Sequence, residues 1–329
     1  MEFNTPDEKL QELASRLPEF CMKSRADNTR KKYGHAFDNF CKWCYSFNNV
    51  NPLPASDYYV SLYLIHLSET YKSVSKIDEA FYAISWVHKI SGFVDPCHSF
   101  LCQSVKDGAH RTIGHCIVNK KEPITPEMLQ KIVQLYGNNL SNLSDLRIAC
   151  MCLVSFAGFL RFSELVNLRR SDLKFFQTHM SLYIEKSKTD QHREGNSLMI
   201  ARTNLPTCPV CMLERYLHVA NIDEFSSEFI FRSLIFHKSK HMYTLKGNKP
   251  ISYTRAREIL LDALESIGLD KSKFGLHSLR SGGATAAASA GISDRLFKKH
   301  GRWATDTAKD GYVKENISEK LSVSKSLGI

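Results

Sequence analysis

The sequence predicts a mainly α chain with a small β-sheet, arranged as a helical domain followed by a mixed α/β domain. Three observations carry that expectation. Apolar residues recur at three- and four-residue steps along most of the 329 residues. Strict alternation is confined to Met180–Glu185 and Ser197–Ile200, on either side of the polar stretch 186–196, which reads as one β-hairpin. Between the two parts lies a polar, basic strap, Asn119-Lys120-Lys121-Glu122-Pro123. The expected division is a helical domain over 1–118, a linker over 119–125 and a second domain over 126–329.

Length and composition suit two cores: 43% of residues are apolar and 24% charged, an ordinary globular balance. The formal charge of +10 favours a polyanionic partner, because basic side chains that bind a phosphate backbone release its condensed counterions, without reading sequence. A generic basic protein would carry the same charge, so charge alone decides nothing. No apolar run reaches the ~18 residues of a membrane span. The opening MEFNTPDEKLQEL is polar and acidic, unlike a secretory signal, so the ten cysteines read as reduced intracellular thiols.

In the first domain, Leu10, Leu13 and Leu17 mark a short helix over 7–17. Asp27-Asn28-Thr29 offers an N-cap to a longer one carrying Tyr33, Phe37, Phe40 and Cys44. Arg30, Lys31 and Lys32 sit in its first turn, where cations oppose the helix dipole. A ligand contact or plain solubility explains them better than helix stability. Helices follow from Ser56 to Glu69, from Ser75 (with Asp78 placed for a capping box) to Gly92, and over 97–110. Cys41-Lys42-Trp43-Cys44 has metal-like spacing but lies inside a helical pattern with no second pair.

Thr125-Pro126-Glu127 starts the second domain with a cap, a proline and an acid in the first turn. A helix over 126–137 leads to the apolar run Ser144–Phe156, a buried helix ended by Gly158. Arg161 then stands among apolar residues, a costly place for a cation unless Glu164, one helical turn on, holds it. Lys186 and Lys188 lie at the hairpin tip. Cys208-Pro209-Val210-Cys211 reads as a helix start rather than as a zinc set completed by His218. An amphipathic helix over 252–267 and four more at about 277–290, 293–300, 305–313 and 317–326 complete the chain.

The tail concentrates phosphate chemistry: His277-Ser278-Leu279-Arg280, then Gly301-Arg302-Trp303, then Tyr312. A guanidinium serves two phosphate oxygens, an imidazole moves a proton, an indole donates one N–H, and a phenol can form a covalent intermediate when activated.

Taken in order, Arg161, Lys188, His277, Arg280, Trp303 and Tyr312 resemble the tyrosine recombinase, or phage integrase-like, family. Gly-Phe-Leu-Arg161-Phe-Ser-Glu-Leu looks like its first arginine motif, Ser187-Lys188-Thr189 its lysine turn, and His277-Ser-Leu-Arg280 with Ala284-Thr285 its second arginine motif. The nine-residue step from Trp303 to Tyr312 matches its His/Trp-to-Tyr spacing. The helices over 20–113 are similar to its core-binding domain. Two departures stand out: Gly301-Arg302-Trp303 replaces a common Leu-Gly-His, and Ser281-Gly282-Gly283 replaces bulkier residues. Trp303 rather than His300 takes the His position. The tail is most similar to the eukaryotic Crypton or DIRS-like transposon branch.

The resemblance implies that Tyr312 attacks a DNA phosphodiester, forming a 3′-phosphotyrosyl link and freeing a 5′-hydroxyl, with no cofactor, metal or ATP. It implies that Arg161 and Arg280 bind phosphate, Lys188 (or Lys186) acts as acid, His277 as base or phosphate ligand, Trp303 as donor and packing partner, and Glu164 as support. Arg30, Lys31, Lys32, Lys120 and Lys121 become DNA contacts. Double-stranded DNA, a tetramer on two sites, a final helix docking in trans and, in a eukaryote, a nuclear location follow; no membrane is involved. Two rivals stand beside this reading: a type IB topoisomerase-like nicking-closing enzyme, which uses a similar residue set, and a non-catalytic DNA binder domesticated from a recombinase. The latter would keep the fold and charge but be expected to lose catalytic residues, whereas here every position is filled.

Overall fold

The structure, a computed structural model, describes residues 7–114, 120–138, 142–185, 195–315 and 317–328. It divides into two compact units, Met1–Asn119 and Lys120–Ile329.

The first unit is helical: α1 (Glu8–Lys23), α2 (Asp27–Tyr45), α3 (Asp57–Tyr71), α4 (Val74–Ile90) and α5 (Phe100–Ile113). Helix α2 packs on α4, and α3 on α5. Phe40, Leu64, Ile77 and Ile84 fill the core. Burying side chains of that size is worth roughly 1.5–3 kcal/mol each, which outweighs the mixed helix propensities of the aromatic and β-branched residues. Three expectations change. Helix α1 runs past residue 17 to Lys23 and buries no residue, so Leu10, Leu13 and Leu17 stay exposed. Ala26, not the Asp27 cluster, is the N-cap of α2, and Asp27 pairs with Arg30 instead. The capping box at Ser75 does not form: α4 begins at Val74, and Asp78 faces His110 at 3.1 Å and Lys106 at 3.6 Å on α5. Lys32 pairs with Glu79 at 3.1 Å, so Arg30 and Lys32 are already balanced within this unit, while Lys31 is exposed.

In the second unit the strap is not a free linker. Glu122 N–H donates to the Lys273 carbonyl (2.8 Å), Ile124 N–H to that of Ser278 (3.0 Å), and Lys121 Nζ to that of Ser272. Lys120 is exposed. Helix α6 (Pro126–Ile132), capped by Thr125, leads to α7 (Leu143–Ala157), which is buried along most of its length and ends at Gly158. After α8 (Phe162–Val166), strands β1 (Leu173–Phe175), β2 (His179–Ile184) and β3 (Asn196–Ala201) form an antiparallel sheet in the order β1-β2-β3. Strand β1 was not expected; its three residues are too few to show alternation.

Helix α9 (Pro209–Val219) follows, with Cys208 as N-cap. Cys208 Sγ accepts a hydrogen bond from Thr203 N–H, and no group of three metal-ligating side chains occurs among the described residues. Strands β4 (Arg232–His237) and β5 (Met242–Pro250) make a separate two-stranded ribbon. The chain then runs through α10 (Tyr253–Ser266), α11 (His277–Ser289), α12 (Asp294–Gly301), α13 (Asp306–Asp310) and α14 (Ile317–Lys325). Helices α9, α10 and α11 all pack on α7. No described helix is long and apolar enough to cross a membrane.

The glycine pair on α11 has a packing reason. A Cβ on Gly282 would lie 2.1 Å from the Ile124 carbonyl oxygen, and one on Gly283 would lie 2.1 Å from that of Phe156. Both obstacles are backbone, so bulk here would push α11 away from the strap and from α7. Gly283→Ala is expected to destabilise the protein by about 1–3 kcal/mol as overpacking, measured by urea unfolding. An unchanged midpoint would contradict this packing.

Candidate active site

Four segments of the second unit meet where α7 ends. Gly158 stops α7, and Phe159 turns the chain with φ 45°, a left-handed conformation that is strained for a bulky residue. That turn brings the Phe159 carbonyl to two guanidinium groups, those of Arg280 and Arg302. Arg161 then caps α8 and is buried.

Glu164 is the hub. Its carboxylate accepts from Arg161 Nη1 (2.7 Å), from Arg161 N–H (2.9 Å) and from Arg302 Nη2 (3.0 Å), and it faces Arg280 Nη1 at 3.7 Å. Burial pushes its carboxyl up, but Arg302, the Arg161 N–H and the Arg161 and Arg280 charges outweigh burial and hold it below the ordinary value. Among the described residues three guanidiniums thus share one carboxylate, and the side chains of that set carry an excess of positive charge in a buried place.

Arg280 is fully buried. Burial, then repulsion from Arg161, lowers its pKa to about 10, so it stays charged at neutral pH. Its Nη1 donates to the Phe159 carbonyl and its Nη2 to that of Gly301 (2.7 Å). A guanidinium has five N–H bonds. Those two leave three, and Arg280 Nε, like Trp303 Nε1, is buried with no hydrogen-bond partner among the described residues. The Arg280 Cζ lies 5.1 Å from the Trp303 ring centroid and 4.8 Å from that of Tyr312, so both rings cover the charge.

Tyr312 is half-buried just after α13, with its ring 5.6 Å from Trp303 and 6.3 Å from the exposed His277. Thr285 Oγ1 donates to the Tyr312 carbonyl (3.5 Å) and accepts from Lys314 N–H (3.1 Å), which holds the tyrosine's backbone against α11. His300 faces elsewhere: its Nε2 bonds the Ala157 carbonyl at 2.8 Å, and burial lowers its pKa. Trp303, not His300, is therefore beside the tyrosine.

The structure brings Arg161, Glu164, His277, Arg280, Trp303 and Tyr312 together. Lys186 and Lys188 lie outside the described residues. Arg302 was missed: a lone arginine between Gly301 and Trp303 reads as a surface cation. The chain adopts φ 55° at Arg302, turning the side chain into the cluster, where it bonds the carbonyls of Gly158, Phe159 and His300 as well as Glu164. Its position is the one where family members commonly have glycine, which was the available signal.

The family model for the phage integrase family matches residues 123–319, more than half of the chain. The chain belongs to the phage integrase family. This integrase-family chain is 28% identical over 297 residues to the integrase/recombinase xerD homolog of Selenomonas ruminantium, covering 89% of itself and 83% of that protein. In fold, it is similar to XerH site-specific recombinase in a post-cleavage complex with palindromic difH substrate (TM-score 0.62, 13% identity, 91% and 78% of the two chains). A lambda integrase dimer bound to a COC′ core site gives a TM-score of 0.56 at 16% identity, covering 94% and 96%. The Tn1549 transposon integrase with transposon right end DNA gives 0.57 at 12% identity, covering 95% and 99%. The integrase-family chain is thus a tyrosine recombinase, an α-rich enzyme with small sheets, and its arginine cluster lies inside the matched region.

Proposed function

We propose that this recombinase cuts and rejoins duplex DNA through a covalent link to Tyr312. The carrying observation is the convergence of Arg161, Arg280, Trp303, His277 and Tyr312 on a buried cluster with surplus positive charge. The Tyr312 oxygen attacks phosphorus, and the bond from phosphorus to the 5′-oxygen breaks. His277 takes the phenol proton, and Lys188, or Lys186 beside it, protonates the departing 5′-oxygen. A positioned acid or base contributes roughly 10²–10⁴-fold in rate. Arg161 and Arg280 stabilise charge growing on the phosphoryl oxygens, as preorganised donors do at an oxyanion. Phosphate reaches Arg280 once the Tyr312 ring swings off it. The reverse attack by a 5′-hydroxyl reseals the strand, so the bond energy is conserved.

Assembly as a tetramer on two sites is part of the proposal. An apolar groove of about 370 Å³ between α7, α11 and α12 is lined by Phe156, Ala286, Ala287, Ile292, Leu296 and Phe297, with Ile292 and Leu296 half exposed. Helix α14 of a second copy, with its exposed Leu321, suits it. Lys31 and Lys120, both exposed, are assigned to DNA phosphates; Arg30, Lys32 and Lys121 join them by leaving Asp27, Glu79 and the Ser272 carbonyl. Origin in a mobile element of the Crypton or DIRS type, and nuclear action in a eukaryotic host, rest on the Gly301-Arg302-Trp303 tail.

The test is incubation with nicked suicide duplexes, without metal or ATP. A covalent protein–DNA adduct is expected. Binding with no adduct on a cognate site would mark a non-catalytic binder, and relaxation of supercoils by a monomer would mark a topoisomerase.

A further inference from the structure

The β4–β5 ribbon has no part in the site described above, and it is the most one-sidedly charged stretch of the chain. From Ser233 to Arg257 the sequence holds Lys238, Lys240, Lys246, Lys249, Arg255 and Arg257, and no Asp or Glu. These six cations are a large share of the net +10. All four lysines are exposed, and none has an ion-pair partner among the described residues.

The root of the ribbon is anchored. Leu234, Tyr243 and Leu245 pack against the main core, and Ile251 N–H donates to the Phe231 carbonyl (2.9 Å). Tyr253, just beyond β5, sets its ring edge-on to Phe162 at 5.2 Å. Phe162 follows Arg161, so the ribbon springs from the wall of the active site. The far end is bare: Ile235, Phe236 and Met242 are 41%, 44% and 44% exposed beside the tip Lys238-Ser239-Lys240.

Pairing passes from Arg232↔Pro250 to Leu234↔Leu245, so β5 carries extra residues in a bulge over 246–249. Gly247 adopts φ 53° there, its carbonyl accepts from Arg232 Nη1 (2.8 Å), and Asn248 Oδ1 accepts from Phe229 N–H (2.9 Å). A bulge bends a strand and re-aims its side chains; this one is held by specific bonds and displays Lys246 and Lys249 at its two ends. The six residues of β4 extend for about 20 Å, and a two-stranded ribbon fits the ~12 Å major groove of B-DNA.

We propose that the β4–β5 ribbon is a second DNA contact of this enzyme, lying in the major groove of the duplex beside the active site with Lys238, Lys240, Lys246 and Lys249 on flanking phosphates. The proposal rests on the duplex-DNA reading given above. A second copy of the chain is a poorer occupant, since a net charge of +10 repels this cationic tip.

The test compares the full chain with the fourfold variant K238A/K240A/K246A/K249A on a generic 30-base-pair duplex over a salt series. Each phosphate contact contributes about 0.9 to the slope of log affinity against log salt. The variant is expected to lose about 3–4 from that slope, with unchanged thermal unfolding because its four side chains are exposed. Guanine N7 atoms, which face the major groove, are expected to be shielded from dimethyl sulfate by the parent and to regain reactivity with the variant. Duplex binding by the parent with an unchanged slope in the variant overturns the ribbon assignment alone. So does unchanged N7 reactivity, or a variant that loses only self-association. No duplex binding by the parent overturns the DNA reading together with the ribbon.

Discussion

Tyr312→Phe is expected to abolish covalent attachment to DNA while leaving duplex affinity nearly unchanged. The substitution removes one oxygen. The phenyl ring still covers Arg280 at the observed 4.8 Å and still packs against Trp303 at 5.6 Å. The Tyr312 carbonyl still accepts from Thr285. The variant therefore isolates chemistry from structure. Gel-shift titration of duplex DNA and denaturing electrophoresis of trapped complexes read the two arms separately. An adduct persisting in the variant would show that another residue is the nucleophile.

Glu164→Gln is expected to lower stability by about 3–5 kcal/mol, the cost of leaving buried charge without its counter-ion. Glutamine keeps the shape but removes the carboxylate that Arg161, Arg280 and Arg302 share among the described residues. At roughly 2–4 °C per kcal/mol, the melting temperature should fall by about 10 °C. The pH dependence has a definite sign. Burial raises the Glu164 carboxyl, the arginines more than reverse this, and the folded value lies below the ordinary 4.5. A depressed carboxyl contributes stability that is fully present above the unfolded value and is lost as pH falls through the folded one. The stability gap between parent and variant should thus hold at pH 7 and narrow below pH 4.5, followed by urea unfolding across that window. A gap constant down to pH 3 would show that the charge of Glu164 is not what holds the arginines.

The candidate site was more legible in the sequence than its supports. Phosphate chemistry restricts residue types, so Arg161, His277, Arg280 and Tyr312 stand out by kind and order, and Glu164 follows from its helical offset to a cation that needed a partner. Arg302 was hidden because its burial depends on a left-handed turn at a non-glycine residue, which no periodicity reports. Thr285 was visible as a letter of the motif, but its bonds to residues 312 and 314 exist only once α11 and the tail are side by side. The strap over 119–125 read as a linker because its charge pattern is that of one; its backbone bonds to Lys273 and Ser278 are long-range. The β4–β5 ribbon escaped notice because Leu234-Ile235-Phe236 is a continuous apolar run and the bulge at 246–249 breaks alternation in its partner. In α1 the periodicity was real, but the leucines that made it stay exposed, since periodicity shows which face is apolar and not whether anything covers it.

Peptide mapping of the trapped adduct tests the central assignment most directly. After nuclease and trypsin digestion, mass spectrometry of the peptide spanning residues 310–314 should show Tyr312 carrying the nucleotide remnant through its phenolic oxygen. A remnant on any other side chain, or an adduct on a cognate site that leaves this peptide unmodified, would contradict the account.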